Sequence, residues 1–145
     1  MTDTRENPTR PHVGVGAVIF KEGKLLLIKR GKPPKEGQWS LPGGAQELGE
    51  TIREAVVREV KEETSLAVKV GALLDVVDFI EKSENNIAFH YTLVDFTADY
   101  VSGHLQAASD AVEARFFSLD EALALPLWTE TKRIIEMAAK IRGLL

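Results

Sequence analysis

Apolar and polar positions along this chain fall into short blocks whose period changes repeatedly. Residues 13–20 are almost wholly apolar and rich in β-branched side chains, the pattern of a buried strand. Glu22-Gly23 supplies a turn, and residues 24–30 form a second strand that closes a hairpin with the first. Residues 31–38 hold two glycines and two prolines and read as a loop. Residues 39–41 extend briefly, and Pro42-Gly43-Gly44 is expected to break regular structure. Over 51–64 the period becomes helical: Ile52, Ala55, Val56 and Val60 share a stripe, and Thr51 and Glu54 have the spacing of a capping box. Residues 66–80 carry one or two strands, 81–86 a polar turn, 87–99 a long strand and 112–117 a short one. Ser118 and Glu121 repeat the capping-box spacing at a helical turn over 118–123. Residues 128–141 form a closing helix with Ile134, Ala138 and Ile141 on one face and Trp128 packing it. Strands with helices set between them predict an α/β fold, a mixed sheet covered by helices.

A chain of 145 residues has room for one core, so residues 12–145 read as one domain behind a polar, flexible tail at 1–11. The absence of cysteine excludes disulfides, thiolate metal sites and a cysteine nucleophile, and fits a reducing compartment. A net charge of −4 argues against a protein that holds nucleic acid by neutralising its phosphates. No apolar run reaches membrane-spanning length, and the amino-terminal stretch lacks the apolar core of a secretory signal, so a cytoplasmic location is expected.

The predicted helix over 51–64 carries the chemistry. Arg58, Glu59, Glu62 and Glu63 lie within two turns, and spacings of three and four place the three carboxylates on neighbouring positions of one face. Such carboxylates repel one another, and a hard divalent cation relieves that repulsion; oxygen ligands are what Mg²⁺ and Mn²⁺ prefer. Metal ions held there would neutralise an anionic diphosphate and lower the pKa of a bound water. Taken alone, the run reads first as a solvated helix face laced with ion pairs, since such faces are common.

The wider frame separates these readings. Gly44 is followed after five residues by Glu50, after seven more by Arg58-Glu59-Val60, then by Glu62-Glu63 and Leu66. This resembles the Nudix box of the Nudix hydrolases, G-x5-E-x7-R-E-U-x-E-E-x-G-U, where U is aliphatic. Chance agreement at six fixed and two aliphatic positions is on the order of 10⁻⁸ per starting point. Ser65 departs from the pattern, standing where the family has glycine. That glycine follows the helix at a place favouring a left-handed backbone, so serine there costs roughly 1 kcal/mol. The loop Leu41-Pro42-Gly43-Gly44 with Glu47 and Gly49, the early strands with Trp39, and the segment from Ala114 to Glu121 also resemble Nudix domains, most of all bacterial ADP-ribose pyrophosphatases.

The resemblance implies an α/β/α sandwich around a mixed sheet and an enzyme needing Mg²⁺ or Mn²⁺. It makes Glu59 and Glu63 the main metal ligands, Glu62 a ligand or the base that activates water, and Arg58 the residue orienting a carboxylate through a bidentate pair. Glu50 would support this arrangement. Gly43 and Gly44 would allow a tight turn, with the Gly44 carbonyl reaching the metal. A further acid from outside the box is expected, with Glu113 and Asp110 as candidates; otherwise both are surface charges. Lys29, Arg30 and Lys35 lie beside the predicted loop, where they would hold phosphate or end strands as solvated charges. Trp39, Phe79, Phe89 and Tyr91 are core aromatics or base-stacking ones. His12, His90 and His104 lack ligand spacing and read as packed or surface groups, and Gly14-Val15-Gly16 lies within a strand and is no dinucleotide fingerprint.

The expected reaction is hydrolysis of a nucleoside diphosphate joined to another group, with ADP-ribose giving AMP and ribose 5-phosphate. A nucleoside triphosphate pyrophosphohydrolase and a non-catalytic nucleotide sensor are the alternatives. The expected partner is a small nucleotide, with no membrane, nucleic acid disfavoured, and homodimerisation open.

Overall fold

The amino-terminal hairpin forms, but its two strands stay together only at the turn. In the computed structural model, which describes residues 5–145, β1 (His12–Lys21) and β2 (Lys24–Arg30) pair only at Phe20–Leu25 and Lys21–Lys24. Glu22 and Gly23 both have positive φ, the conformation a two-residue hairpin turn demands. Beyond the turn the strands part and find other partners. β2 pairs antiparallel with β3 (Trp39–Ser40) and with β7 (Ala111–Phe117), with a register shift at Lys29/Arg30. β1 pairs parallel with β6 (Asn86–Ser102) and antiparallel with β4 (Gly43–Ala45). β6 in turn pairs antiparallel with β5 (Ala67–Ser83).

The sheet is therefore mixed and forked, and helices cover both faces. On one side α1 (Ile52–Thr64) presses Ala55, Val56 and Val60 onto Val15, Ala17, Ile19 and Phe96. On the other, α2 (Leu119–Ala124) and α3 (Thr129–Ile141) pack Ala122, Ile134, Ile135 and Ala138 onto Val18, Leu25, Leu27 and Phe117. This is the expected α/β/α sandwich. Strand β1 is buried from Val15 to Phe20 because it feeds both cores, which explains its unbroken apolar run.

Three expectations are corrected. Pro42-Gly43-Gly44 does not break regular structure: Gly43–Ala45 adds a strand to β1, in register Gly14–Ala45, Val15–Gly44 and Gly16–Gly43. Only glycine allows so close an approach at 43, where a methyl group would strike the Val15 carbonyl. Residues 81–83 are strand rather than turn, since β5 and β6 pair out to Ser83–Asn86 as one long hairpin. The buried face of α3 is Ile134, Ile135, Ala138 and Ala139, while Ile141 is exposed in the last turn. Ahead of the first strand, the Asn7 amide donates to the Ala88 carbonyl.

Candidate active site

Both ends of α1 are set by its sequence. Thr51 and Glu54 complete the capping box reciprocally, with the Glu54 amide donating to Thr51 Oγ1 and the Thr51 amide to Glu54 Oε1. At the other end Ser65 takes the left-handed conformation, φ 67° and ψ 11°, and its amide donates to the Lys61 carbonyl. Serine thus occupies the backbone geometry for which the box pattern reserves glycine.

Between these ends Arg58 gathers the acids. Its Nε and Nη2 donate to both oxygens of Glu50 at 2.6 and 2.9 Å, a bidentate pair. Nη2 also donates to the Ala45 carbonyl at 2.9 Å, and Nη1 to Glu59 Oε1 at 2.8 Å. Nη1 reaches Glu62 at 3.3 Å. One guanidinium thereby ties the loop before the helix to the helix itself. Glu50 fixes that loop further by accepting from the Glu47 amide at 3.0 Å. The Arg58 side chain holds the Glu50 carboxyl below its usual range.

Glu63 is buried to 2% exposure, and its Oε1 accepts from the Gly43 amide at 2.8 Å. Burial pushes its carboxyl up to about 8; the Gly43 bond and the Arg30 charge oppose this, while Glu59 and Asp110 reinforce it. Burial also raises Glu59, against the pull of Arg58. The Glu59 carboxylate packs over Gly44, where any β-carbon would collide with it. A solvated helix face does not bury an acid as Glu63 is buried, so the ion-pair-laced surface reading fails there, while Glu59 is partly buried and paired with Arg58. Glu62 is about half exposed, at the rim of the cluster.

Two carboxyls one helical turn apart, both raised by burial, are a donor set a hard cation stabilises, and the oxygens of Glu59 and Glu63 fit one. Among the described residues no three acidic or histidine side chains already converge on a point, so backbone, water or ligand oxygens would complete such a shell.

A cleft runs from Gly43, Gly44 and Glu63 past Arg30 to an aromatic end at Trp39, Phe79 and Trp128. Arg30 is tethered through Nε to the Pro34 carbonyl at 2.6 Å. Lys35 Nζ lies 5.5 Å from the Phe79 ring and 5.4 Å from the Trp128 ring, a cation over the aromatic end. Phe79 and Trp128 meet edge to face, as do Trp39 and Phe117. Trp128 therefore lines the cleft as well as starting α3.

Of the two acids expected from outside the box, Asp110 lines the cleft, and its charge acts on Glu59 and Glu63. It also pairs with Lys32 at 3.2 Å. Glu113 is exposed, opposite Lys29 in the β2–β7 ladder, and the structure does not bring it to the cluster. Lys29 does not line the cleft either. Phe89 is core, and Tyr91 lines the cleft. Sequence reasoning missed Asp95, a carboxylate buried in the cleft floor. The trace it leaves in sequence is an acid inside the apolar run Leu93-Val94-Asp95-Phe96.

The sequence profile of the NUDIX domain matches residues 10–138. The chain belongs to the Nudix hydrolase family. The "ADP-ribose pyrophosphatase" of Methanocaldococcus jannaschii is 46% identical over 110 residues, 76% of this Nudix chain and 63% of that protein. The human "8-oxo-dGDP phosphatase NUDT18" is 30% identical over 90% of this chain and 39% of its own length. This Nudix domain thus spans less than two thirds of either relative. Among solved structures, the MutT NUDIX hydrolase of Burkholderia pseudomallei superimposes with a TM-score of 0.77 at 35% identity, covering 88% of this chain and 98% of that one. Nudix hydrolases generally need divalent metal ions and bind nucleotide substrates. No helix among the described residues is long and apolar enough to cross a membrane.

Proposed function

We propose that this chain hydrolyses the phosphoanhydride of a nucleoside diphosphate joined to another group, with ADP-ribose cleaved to AMP and ribose 5-phosphate. The observation that carries this reading is the cleft itself. Partly buried Glu59 and buried Glu63 stand beside the Gly43-Gly44 turn at one end, and Trp39, Phe79 and Trp128 line the other. Such a site takes a metal-bound diphosphate and a planar base together. The name of the 46%-identical relative supports the same substrate.

Glu59 and Glu63 would hold Mg²⁺ or Mn²⁺, with the Gly44 carbonyl as a further oxygen donor. Asp110 supplies an acid from outside the box more readily than Glu113, since its charge already acts on both ligands. The metal would supply charge neutralisation of the diphosphate and a more acidic bound water. Glu62, at the exposed rim, accepts the proton of the attacking water. Water oxygen joins one phosphorus, and the bridging oxygen leaves with the other phosphate. Arg58 keeps Glu59 and Glu62 in place, with Glu50 fixing Arg58 in turn. Arg30 and the Gly43 turn hold phosphate oxygens, and Lys29 at the strand end adds longer-range positive charge.

Incubating the pure protein and Mg²⁺ with ADP-ribose, nucleotide sugars, dinucleotides and nucleoside triphosphates, and identifying products by mass, tests this. AMP plus ribose 5-phosphate from ADP-ribose, with triphosphates intact, is the expected result. Pyrophosphate from a triphosphate would replace it with the nucleotide-sanitising reading. Binding without any product would leave a sensor.

A further inference from the structure

Asp95 is a buried carboxylate that the chemistry above does not use. It lies on β6 between Val94 and Phe96 and is 8% exposed. Among the described residues no donor hydrogen-bonds its side chain, yet neither oxygen is sealed away from the cleft. Burial pushes its carboxyl up to about 6; Asp75 on the neighbouring strand adds to this and Arg133 opposes it, both through space. An acid kept in such a place without a donor opposes folding. Packing therefore gives no reason for it.

Its position supplies one. Gly43 pairs with Gly16, and Gly16 pairs with Asp95, so the three stand in one row across β4, β1 and β6. At ordinary strand spacing the Asp95 backbone is about 10 Å from Gly43. That is the reach from a diphosphate across a ribose to a base. The carboxylate leans over Gly16, where a methyl group would come within 2.5 Å of Oδ1. The cleft that Asp95 lines is also lined by Trp39, Leu41, Val77 and Trp128. These walls offer apolar, partly aromatic faces to a flat ring, and Asp95 is an acceptor in the same cleft.

We propose that Asp95 is a specificity residue that accepts a hydrogen bond from the amino group of the substrate's base. A base carrying a carbonyl at that place would bring two acceptors face to face and be rejected. This deepens the reading of the cleft as a nucleoside diphosphate site and rests on it.

The test compares the wild type with Asp95→Val, which lacks an acceptor, and Asp95→Asn, which adds a donor beside its acceptor. Two readouts are taken: kcat and KM for ADP-ribose and its hypoxanthine counterpart, and calorimetric binding of AMP and IMP. The wild type should favour the amino base by roughly 10- to 100-fold. Asp95→Val should level the two bases through KM and leave kcat within about threefold. Asp95→Asn, whose amide can accept from an amino group or donate to a carbonyl, should narrow the preference by improving KM for the hypoxanthine counterpart. A thermal melt no lower than that of the wild type would show that the Val variant is folded. An equal loss for both bases, or a loss that follows the ribose hydroxyls in dideoxy analogues, would overturn the proposal. If ADP-ribose is not cleaved but AMP binds over IMP through Asp95, the substrate assignment fails and this one stands. If ADP-ribose is cleaved with no base preference, the reverse holds. Binding of neither nucleotide would sink both.

Discussion

Glu62 and Glu63 are neighbours in sequence with opposite surroundings. The helical period turns Glu63 into the sandwich, where the Gly43 amide meets it, and leaves Glu62 half in solvent. Glu59, one turn back, shares the inner side but keeps Arg58 as a partner. That difference underlies the proposal of two acids as metal ligands and one as proton acceptor. Glu59→Gln keeps the shape and the Arg58 contact while removing the charge. Its kcat should fall by roughly 10²-fold or more with circular dichroism and melting temperature near the wild type. Activity within a factor of two would remove Glu59 from the ligand set. The spacing of the acids was legible in the sequence; their burial was not. Nothing local distinguishes Glu113 from Asp110 as a fifth acid. The choice depends on which side of the β7 entrance faces the cleft, and that is fixed by pairing with β2.

At the scale of elements, α1 was legible at both ends because its caps are written locally. Thr51 and Glu54 bond as their spacing implies, and so do Ser118 and Glu121 ahead of α2. Ser65 carries the left-handed backbone at the cost expected for a residue with a β-carbon, partly offset by its Oγ donating to the Gln106 carbonyl at 3.3 Å. Ser65→Gly should raise stability to chemical denaturation by up to about 1 kcal/mol with kcat unchanged. A large change in rate would mean that this helix end bears on the reacting groups. The strands were less legible. β4 is three residues whose only reason to be extended is β1 beside it, and the ends of β5 and β6 are polar residues held by each other. Such pairing is nonlocal, and periodicity does not record it.

Over the whole molecule, two buried acids set how stability follows pH. Glu63 is pushed up to about 8 and Asp95 to about 6, so the fold favours the neutral form of each. Their contribution is fully present at about pH 4 and is lost as pH rises through those values. The lowered carboxyls of Glu50 and Asp75 act in the other direction, but only toward stronger acid. In chelator the melting temperature should therefore fall between about pH 5 and pH 9. Adding Mg²⁺ should lift it, and more at pH 8.5 than at pH 6, because the ion takes the proton's place on Glu63. A melting temperature flat across this window, with or without metal, would contradict the buried pair. The fork in the sheet has a consequence of its own. The groups proposed to break the bond sit on α1 and the turn that β4 clips to β1, whereas the other cleft walls, proposed to choose the substrate, come from β3, β5, β6 and the start of α3. These are separate stretches of chain that face each other across the cleft. One half can be rewritten by mutation while the other keeps its dimensions, so an ancestral hydrolase of this shape could change its diet without relearning its trade.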